Sequence, residues 1–374
     1  MTEKHRFAVK NHFLSGITVL PLLRIVARHW RSIDWLRYGH RVLFLAAMAV
    51  VNSALAVPDR LLFDARAAAA PRPERPVFVL GHPRTGTTHL HNLLARDPRF
   101  ATATTFAAGF PSAFLSLWHA RSALAGLLDE TRPMDSMAIT LDTPCEDEIA
   151  TCALSGGESP YMAIVLPRSW REFWHTFRFE ARGASYRRWR DSFLFFLKKV
   201  LLRAPAGSRA VVKSPVHTCR VSLLLELFPD AQFVYIHRDP YEVFASSAHM
   251  ADTYYWYTTL QRPDEGAMAD FIFEQFRLLH DAYVSERSLV PAGNLCEVSF
   301  AELDGDPVGT LRRVYATLGW EGFDALEPSV RGYLSQLEGF KKNSLEPIAP
   351  EHRARIEREW AGAFEAFGYE RRAG

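Results

Sequence analysis

The stretch GHPRTGTT, residues 81–88, decides the fold. Four apolar residues, VFVL at 77–80, come directly before it and predict a buried parallel strand, and residues 87–95 predict a helix that stops before Pro98. A glycine loop between a strand and a helix lets backbone N–H groups and the helix N-terminus face an anion. The sequence therefore predicts a phosphate-binding loop in an α/β fold, with a purely structural glycine turn as the alternative.

The loop differs from that of nucleotide hydrolases after its second glycine. Those enzymes carry Lys and then Ser or Thr there, the lysine for the β- and γ-phosphates and the hydroxyl for Mg²⁺. Here Thr87 and Thr88 follow Gly86, and the nearest cation is Arg84, inside the loop. This pattern argues against one function that a P-loop could have, that of an ATP-dependent kinase.

Residues 210–247 repeat the alternation of strand and helix. AVVK at 210–213 and QFVYIH at 232–237 predict strands, with an apolar helix at 221–228 between them. LCEVSF at 295–300 is a later candidate strand. This order predicts a parallel sheet flanked by helices, whose ligands bind at the carboxyl ends of the strands.

Polar side chains follow both of these predicted strands. Lys213 and His217 come after the first, and Arg238 and Ser246 come after the second. We therefore expect the site at this edge of the sheet. The presence of Lys213 and His217, which can take part in catalysis, argues against another function, that of a non-catalytic nucleotide-binding protein.

The composition excludes several classes of protein. The 374 residues are 48% apolar and 23% charged, as in globular proteins, and a net charge of +2 gives no reason to expect a nucleic-acid partner. The four cysteines lack a C-x-x-C spacing, and His89 and His91 point in different directions on a helix. We expect no metal site, no disulfide framework and a cytoplasmic location.

The first 41 residues carry eight basic and two acidic side chains, a net charge of +6. The apolar segment 42–57 follows and ends at Pro58. It is shorter than the roughly 20 residues of a membrane span. A buried helix, a membrane-surface contact supported by the basic arm, and a true span remain as interpretations.

A proline-containing linker, residues 67–76, separates this segment from the predicted strand at 77–80. We predict two parts: a basic, then apolar helical extension over 1–70, and a catalytic domain over 77–374.

Three motifs together resemble those of sulfotransferases that use 3′-phosphoadenosine 5′-phosphosulfate (PAPS). They are GHPRTGTT, KSPVH at 213–217 and HRDPYEVFASS at 237–247, and bacterial sulfotransferases with PRTGTT or RSGTT loops are the most similar group. The similarity is good over 76–110 and 205–250 and looser in the C-terminal third. It implies a P-loop-type α/β fold and transfer of a sulfuryl group from PAPS to an acceptor hydroxyl, with 3′,5′-ADP as product.

The resemblance assigns two phosphate sites. The 3′-phosphate is held by an Arg and a Ser eight residues later, which Arg238 and Ser246 match, and an arginine fork suits a terminal phosphate. The 5′-phosphosulfate bridge is wrapped by the loop residues Arg84, Thr85, Gly86, Thr87 and Thr88.

The acceptor hydroxyl needs a base, and His217 is the first candidate because histidine titrates near neutral pH. Relatives often place a histidine two residues after the matching lysine, whereas His217 lies four after Lys213. The competing base is one of the carboxylates in PCEDE, namely Glu146, Asp147 or Glu148. A run of acidic residues like this one also fits the solvated start of a helix. Lys213 is expected to contact the bridging oxygen or the sulfonate.

Two further contacts to the donor rest on the resemblance. Several relatives place a Trp after the Thr pair to stack on adenine, where this chain has His89, which could equally face another helix. Lys341 and Lys342 lie where relatives place another phosphate-binding basic segment, although a two-lysine run is usually solvated.

Three aromatic-rich segments suit either an apolar acceptor pocket or the core: 106–120, 167–177 and 254–257. With the basic arm, they favour a lipid-like or other apolar small-molecule alcohol over a charged glycan as acceptor.

We predict that transfer from PAPS survives EDTA with at most a modest change in rate. The loop lacks the lysine–hydroxyl pair that goes with Mg²⁺, and fixed cations can stabilise the leaving phosphate. Initial rates with EDTA and with added Mg²⁺ test this. An absolute requirement for Mg²⁺ would favour the kinase interpretation.

Overall fold

The structure is a computed structural model that describes residues 4–127, 131, 138–339 and 345–371. In these residues a five-stranded sheet has the order β2-β3-β1-β4-β5. The strands are β1 Val77–Leu80, β2 Phe100–Thr102, β3 Arg209–Lys213, β4 Gln232–His237 and β5 Leu295–Ser299.

Helices account for most of the remaining described residues. They are α1 Val19–His29, α2 Trp35–Leu62, α3 Asp64–Ala69, α4 Thr87–Leu94, α5 Thr105–Gly109, α6 Asp147–Ser155, α7 Met162–Val165, α8 His175–Arg178, α9 Ala184–Arg203, α10 Val221–Leu227, α11 Pro240–Thr253, α12 Glu265–Glu286, α13 Phe300–Gly305, α14 Pro307–Thr317, α15 Phe323–Gln336, α16 Pro350–Glu359 and α17 Ala361–Phe367. Short 3-10 helices occur at Phe13–Gly16, Trp118–Leu127, Pro167–Phe173, Pro215–Cys219, Tyr255–Tyr257 and Arg287–Leu289.

The sheet confirms the predicted α/β class. Strand β1 is parallel to β3 and to β4, with Val79 opposite both Lys213 and Val234, and β4 is parallel to β5. All four residues of β1 are buried, which explains its uninterrupted apolar sequence. The carboxyl ends of these parallel strands therefore meet at one edge of the sheet.

The chain divides into two compact units. The helical unit comprises the described residues of Met1–Pro73, Thr102–Ala206 and Met250–Ala269. The sheet unit comprises those of Glu74–Ala101, Gly207–His249 and Asp270–Gly374, and it contains β1, β3, β4 and β5.

Helix α2 is longer than the sequence predicts. The expectation that Pro58 ends it is wrong, because the helix continues to Leu62 with Pro58 inside it. Proline cannot donate the hydrogen bond to the carbonyl four residues earlier, and that residue, Ala54, is exposed, so water can donate to its carbonyl. Among the described helices, α2 alone is long and apolar enough to cross a membrane by length and composition.

A buried ion pair joins α2 to α9 within the helical unit. Lys199 Nζ lies 2.7 Å from Asp59 Oδ2, and both side chains are buried. Asp59 also accepts hydrogen bonds from the backbone N–H groups of Leu115, at 3.3 Å, and Ser116, at 2.6 Å. Removing the Lys199 ammonium would leave the Asp59 carboxylate buried without its counter-ion, whereas Lys199 also has Asp64 Oδ1 at 3.6 Å.

We predict that Lys199→Met lowers the free energy of unfolding by about 3–5 kcal/mol, the usual cost of breaking a buried pair from one side. Arg190→Met is the matched control, because Arg190 lies on the same helix in a more exposed pair with Asp191 and should cost at most about 1 kcal/mol. Chemical denaturation measures both. Equal losses would contradict a stabilising role for the buried pair.

Candidate active site

The loop between β1 and α4 depends on two glycines with positive φ. Gly81 has φ +148°, and a Cβ there would lie 2.5 Å from the Ile236 carbonyl oxygen. Gly86 has φ +98°, and a Cβ there would lie 2.6 Å from the Phe300 ring. Both positions therefore require glycine, and they let the backbone pass close to the end of β4.

The loop leads directly into the first turn of α4. Gly86 is the N-cap residue, and Thr85 fixes the preceding turn by donating from its Oγ1 to the His82 carbonyl at 2.8 Å. The first N–H groups of a helix have no acceptor within the helix and carry its positive dipole end. The arrangement predicted from GHPRTGTT is present: a strand, a glycine turn, and a helix start suited to an anion.

The turn that carries His217 is bonded to this loop. The Gly81 N–H donates to Thr218 Oγ1 at 2.8 Å, and the Thr218 hydroxyl lies 3.1 Å from the Gly81 carbonyl. His217 is buried, its ring meets Phe78 edge-on, and Arg220 Nη1 lies 3.4 Å from its Nδ1. A cationic side chain therefore borders the imidazole.

Lys213 approaches the loop from the neighbouring strand. It is the last residue of β3, it is buried, and its Nζ lies 3.3 Å from Thr88 Oγ1 in the first turn of α4. The parallel register opposite Val79 determines this position. A cation and a hydroxyl are thus presented together at the helix start.

The structure brings Arg84, Arg238 and Ser246 together. Arg84 Nε donates to Ser246 Oγ at 2.9 Å, and Arg238 Nη1 donates to the Arg84 carbonyl at 3.0 Å. The Arg238 guanidinium lies over the Phe300 ring, 4.2 Å from its centroid, and its Nε donates to Glu242 Oε2 at 2.7 Å. Arg84 from the loop therefore forms one cluster with Arg238 and Ser246, which come much later in the sequence.

Asp239, the neighbour of Arg238, caps the start of a helix. Its Oδ1 accepts from the backbone N–H groups of Tyr241, at 2.8 Å, and Glu242, at 3.2 Å, at the start of α11. Arg238 pairs instead with Glu242, one turn along the helix.

His89 lies beside an aromatic ring from α15. Its ring is 6.4 Å from that of Tyr333, centroid to centroid, with the planes 29° apart. The Tyr333 hydroxyl also accepts from Asn92 Nδ2 at 3.1 Å. His89 therefore faces another helix, as one of its two interpretations expects, and its stacking on adenine stays a prediction. Lys341 and Lys342 lie outside the described residues.

Two other histidines near the loop are neutral at physiological pH. Burial lowers the pKa of His82 to about 3 and that of His237 to about 4. The Nδ1 of His237 is hydrogen-bonded to the Tyr369 hydroxyl at 2.7 Å. These two histidines therefore add no positive charge to the loop.

The acidic run lies in the helical unit, at the start of α6. Glu146 is the N-cap residue and accepts a hydrogen bond from the Tyr161 hydroxyl. Asp147 and Glu148 are buried, and Glu148 accepts from Trp189 Nε1 at 3.2 Å. The interpretation of this run as a solvated helix start is wrong, because its first helical turn is enclosed by the protein.

The aromatic segments mainly supply core. Fully buried rings from them include Phe106, Phe114, Trp170, Phe177 and Trp256. The partly exposed rings of these segments are Phe110, Trp118, Trp174, Tyr254 and Tyr257.

The sequence analysis missed Thr218, Glu242, Phe300 and Tyr333. Glu242 stands four residues after Arg238 at the start of a helix, a spacing that allows an ion pair. Phe300 was placed at the end of a strand, although Ser299 and Glu302 have the spacing of a capping box and begin α13. Nothing near Tyr333 in the sequence indicates that it meets His89.

Comparison with known proteins agrees with this geometry. Residues 76–325 match the sulfotransferase family. Omega-hydroxy-beta-dihydromenaquinone-9 sulfotransferase Stf3, from Mycobacterium bovis and from Mycobacterium tuberculosis, is 31% identical over 359 residues, which is 95% of this chain and 91% of the relative.

Two solved structures share the fold. Sulfotransferase STF9 from Mycobacterium avium has a TM-score of 0.65 at 20% identity, covering 94% of this chain and 97% of the other. Sulfotransferase STF1 from Mycobacterium tuberculosis has a TM-score of 0.65 at 19% identity, covering 91% and 90%. With its glycine loop, the arginine–serine cluster and similarity along nearly its whole length, the chain belongs to the sulfotransferase family and is an enzyme of that family.

Proposed function

We propose that this sulfotransferase moves the sulfuryl group of PAPS to the hydroxyl of an apolar, lipid-like alcohol, in the cytoplasm at the inner face of the membrane. The observation that carries the proposal is the cluster of Arg84, Arg238 and Ser246 beside a phosphate loop that lacks the triphosphate lysine. A donor with one anionic bridge and a separate terminal phosphate fits such a site better than a Mg²⁺-bound triphosphate does.

In this proposal the loop receives the 5′-phosphosulfate. Gly81 and Gly86 hold the backbone where any side chain would collide, which leaves room for the anion against the start of α4. Arg84, Thr85, Gly86, Thr87 and Thr88 would line it.

The other end of the donor is assigned to the arginine–serine cluster. Arg238 and Ser246 would bind the 3′-phosphate, and the Arg238 guanidinium is already oriented by Phe300 and Glu242. His89 is assigned to the adenine, because its ring and that of Tyr333 offer flat surfaces at the start and side of α4.

Charge explains why fixed side chains would suffice. A sulfuryl group in transfer carries less charge than a phosphoryl group, so the case for neutralisation by Mg²⁺ is weaker. Negative charge grows on the leaving phosphate, where Lys213 and Arg84 would stabilise it. The acceptor oxygen forms its bond to sulfur as the bond from sulfur to the bridging oxygen breaks, releasing 3′,5′-ADP.

The acceptor proton must go to a base, and we assign this role to His217. Its turn is bonded to the loop through Thr218, which fixes the imidazole at the end of β3 near the proposed sulfonate site. Glu146, Asp147 and Glu148 remain the competing candidates.

The acceptor class draws support from the relative Stf3. Its name gives an omega-hydroxylated dihydromenaquinone as substrate, a long apolar molecule with a hydroxyl, and the match covers 95% of this chain. A lipid-like alcohol is also what the aromatic segments favour.

Arg238→Ala should weaken the binding of 3′,5′-ADP far more than that of 5′-AMP, because only the first ligand has the phosphate assigned to Arg238. Thermal shift against ligand concentration measures both affinities. Arg312→Ala, which removes an exposed arginine of the sheet unit, is the matched control. Equal losses for the two ligands would remove Arg238 from this role.

His217→Ala should lower kcat by roughly 10²–10⁴-fold while leaving 3′,5′-ADP binding nearly intact, as expected for a lost general base. Lys213→Ala should reduce donor affinity as well as turnover. Rates at saturating PAPS with one acceptor separate the candidates. The base would instead be a carboxylate of the acidic run if His217→Ala kept a near wild-type kcat and one of three other variants were inactive. These variants are Glu146→Gln, Asp147→Asn and Glu148→Gln.

A further inference from the structure

The solvent-facing side of α2 is apolar along its middle. Every residue between 43 and 58 that is classed as exposed lacks a polar side chain, with Leu43 at 74% and Val50 at 62% exposure. We call this set the outer face of α2; its members are Leu43, Ala46, Ala47, Val50, Val51, Ala54, Val57 and Pro58. Over 16 residues it is about 24 Å long at the α-helical rise.

The protein-facing side of α2 carries polar and charged side chains among apolar ones such as Leu45 and Ala49. Arg41 is buried and donates to the backbone carbonyls of Thr259 and His5, each at 2.7 Å. Asn52 is buried and donates to two carbonyls of the N-terminal segment, and Asp59 forms the ion pair with Lys199. A surface helix in water normally has the opposite arrangement, with its polar side facing the solvent.

The exposed charges on the stretch of chain that forms α1 to α3 all have one sign. Between residues 19 and 69, every exposed charged side chain is an arginine, whereas Asp34 and Asp64 are half-buried and Asp59 is buried. Two of these arginines lie at 60 and 66, after the outer face, and three lie before α2: Arg24, Arg28 and Arg31. Arg28 faces Glu158 at 3.4 Å and is still half exposed.

Trp30 and Trp35 form a pair at the N-terminal end of α2, after Arg24 and Arg28 in the sequence. Trp30 is 57% exposed, its ring lies 4.2 Å from that of Trp35, and Trp35 Nε1 donates to the Trp30 carbonyl. Indole rings with an apolar body and an N–H group favour the boundary between lipid tails and headgroups.

We propose that the outer face of α2 lies in the plane of an anionic phospholipid bilayer, with its side chains among the upper acyl chains and the arginines at the headgroups. The helix does not span the bilayer, because spanning would pull Arg41, Asn52 and Asp59 away from their partners and place them in hydrocarbon. This deepens the membrane location proposed for the enzyme by naming the surface and the lipid.

Charge argues for a bilayer over a second copy of the chain as the occupant. A face that met its own copy would bring arginines of like sign together, which costs energy when they are desolvated. An anionic lipid surface provides the complementary charge along with an apolar layer.

The test measures sedimentation of the full chain with phosphatidylcholine vesicles and with vesicles that also contain phosphatidylglycerol. Wild-type protein should bind the anionic vesicles, and binding should fall as salt rises. The double variant Leu43→Glu/Val50→Glu should bind at least tenfold more weakly with unchanged thermal stability. Leu289→Glu, at a position equally apolar and 56% exposed in the sheet unit, is the matched control and should bind like wild type.

Three results would overturn the proposal. One is equal binding by wild type and Leu43→Glu/Val50→Glu. Another is wild-type protein that resists extraction from vesicles by alkaline carbonate, which would mean a spanning helix. The third is wild-type protein that forms a dimer and does not bind vesicles, together with a double variant that is monomeric. That result would make the outer face of α2 an interface between copies of the chain. The assay uses neither donor nor acceptor, so failure of sulfuryl transfer would leave its outcome unchanged.

Discussion

The close approach of the loop backbone to β4 and α13 is the constraint on which the rest of the site depends. Gly81 passes the Ile236 carbonyl and Gly86 passes the Phe300 ring at distances that no side chain allows. This path places the start of α4 at the carboxyl edge of the sheet. Arg84 then takes a left-handed conformation, with φ +74°, and its side chain reaches Ser246.

The course of the loop backbone also explains how side chains from separate segments come close together. The parallel register puts Lys213, at the end of β3, beside Thr88, while Thr218 bonds the following turn to Gly81. Arg238, just after β4, holds the Arg84 carbonyl. Cations from three segments thus lie close to one helix start, and in the proposed mechanism these fixed groups stabilise the charge on the leaving phosphate.

Much of the sheet unit could be predicted from the sequence because its signals are local. Runs such as VFVL are apolar since both faces of the sheet are covered, and the four predicted strands agree with β1, β3, β4 and β5 to within one residue, whereas β2 was not predicted. The loop was predictable because its glycines, arginine and threonines are contiguous. Contacts between distant segments were not, and Phe300 under Arg238 and Tyr333 beside His89 are examples.

In the helical unit, local signals were misleading for a physical reason. Proline normally ends a helix, but Ala54, whose carbonyl cannot receive a hydrogen bond from Pro58, lies at the surface, so α2 continues. Consecutive acidic residues normally mark solvent, but Glu148 has a tryptophan N–H as a buried partner. Solvent decides the first case, and a side chain from a distant segment decides the second.

The central claim is transfer of a sulfuryl group from PAPS to a lipid-like alcohol, and mass spectrometry tests it most directly. A lipid extract is incubated with the enzyme and with PAPS that carries a heavy sulfur isotope. The account predicts a lipid alcohol that gains one sulfate bearing the heavy isotope, in equal amount to the 3′,5′-ADP released. Labelled sulfate found only in water-soluble, charged products, or 3′,5′-ADP formed without any sulfated product, would contradict it.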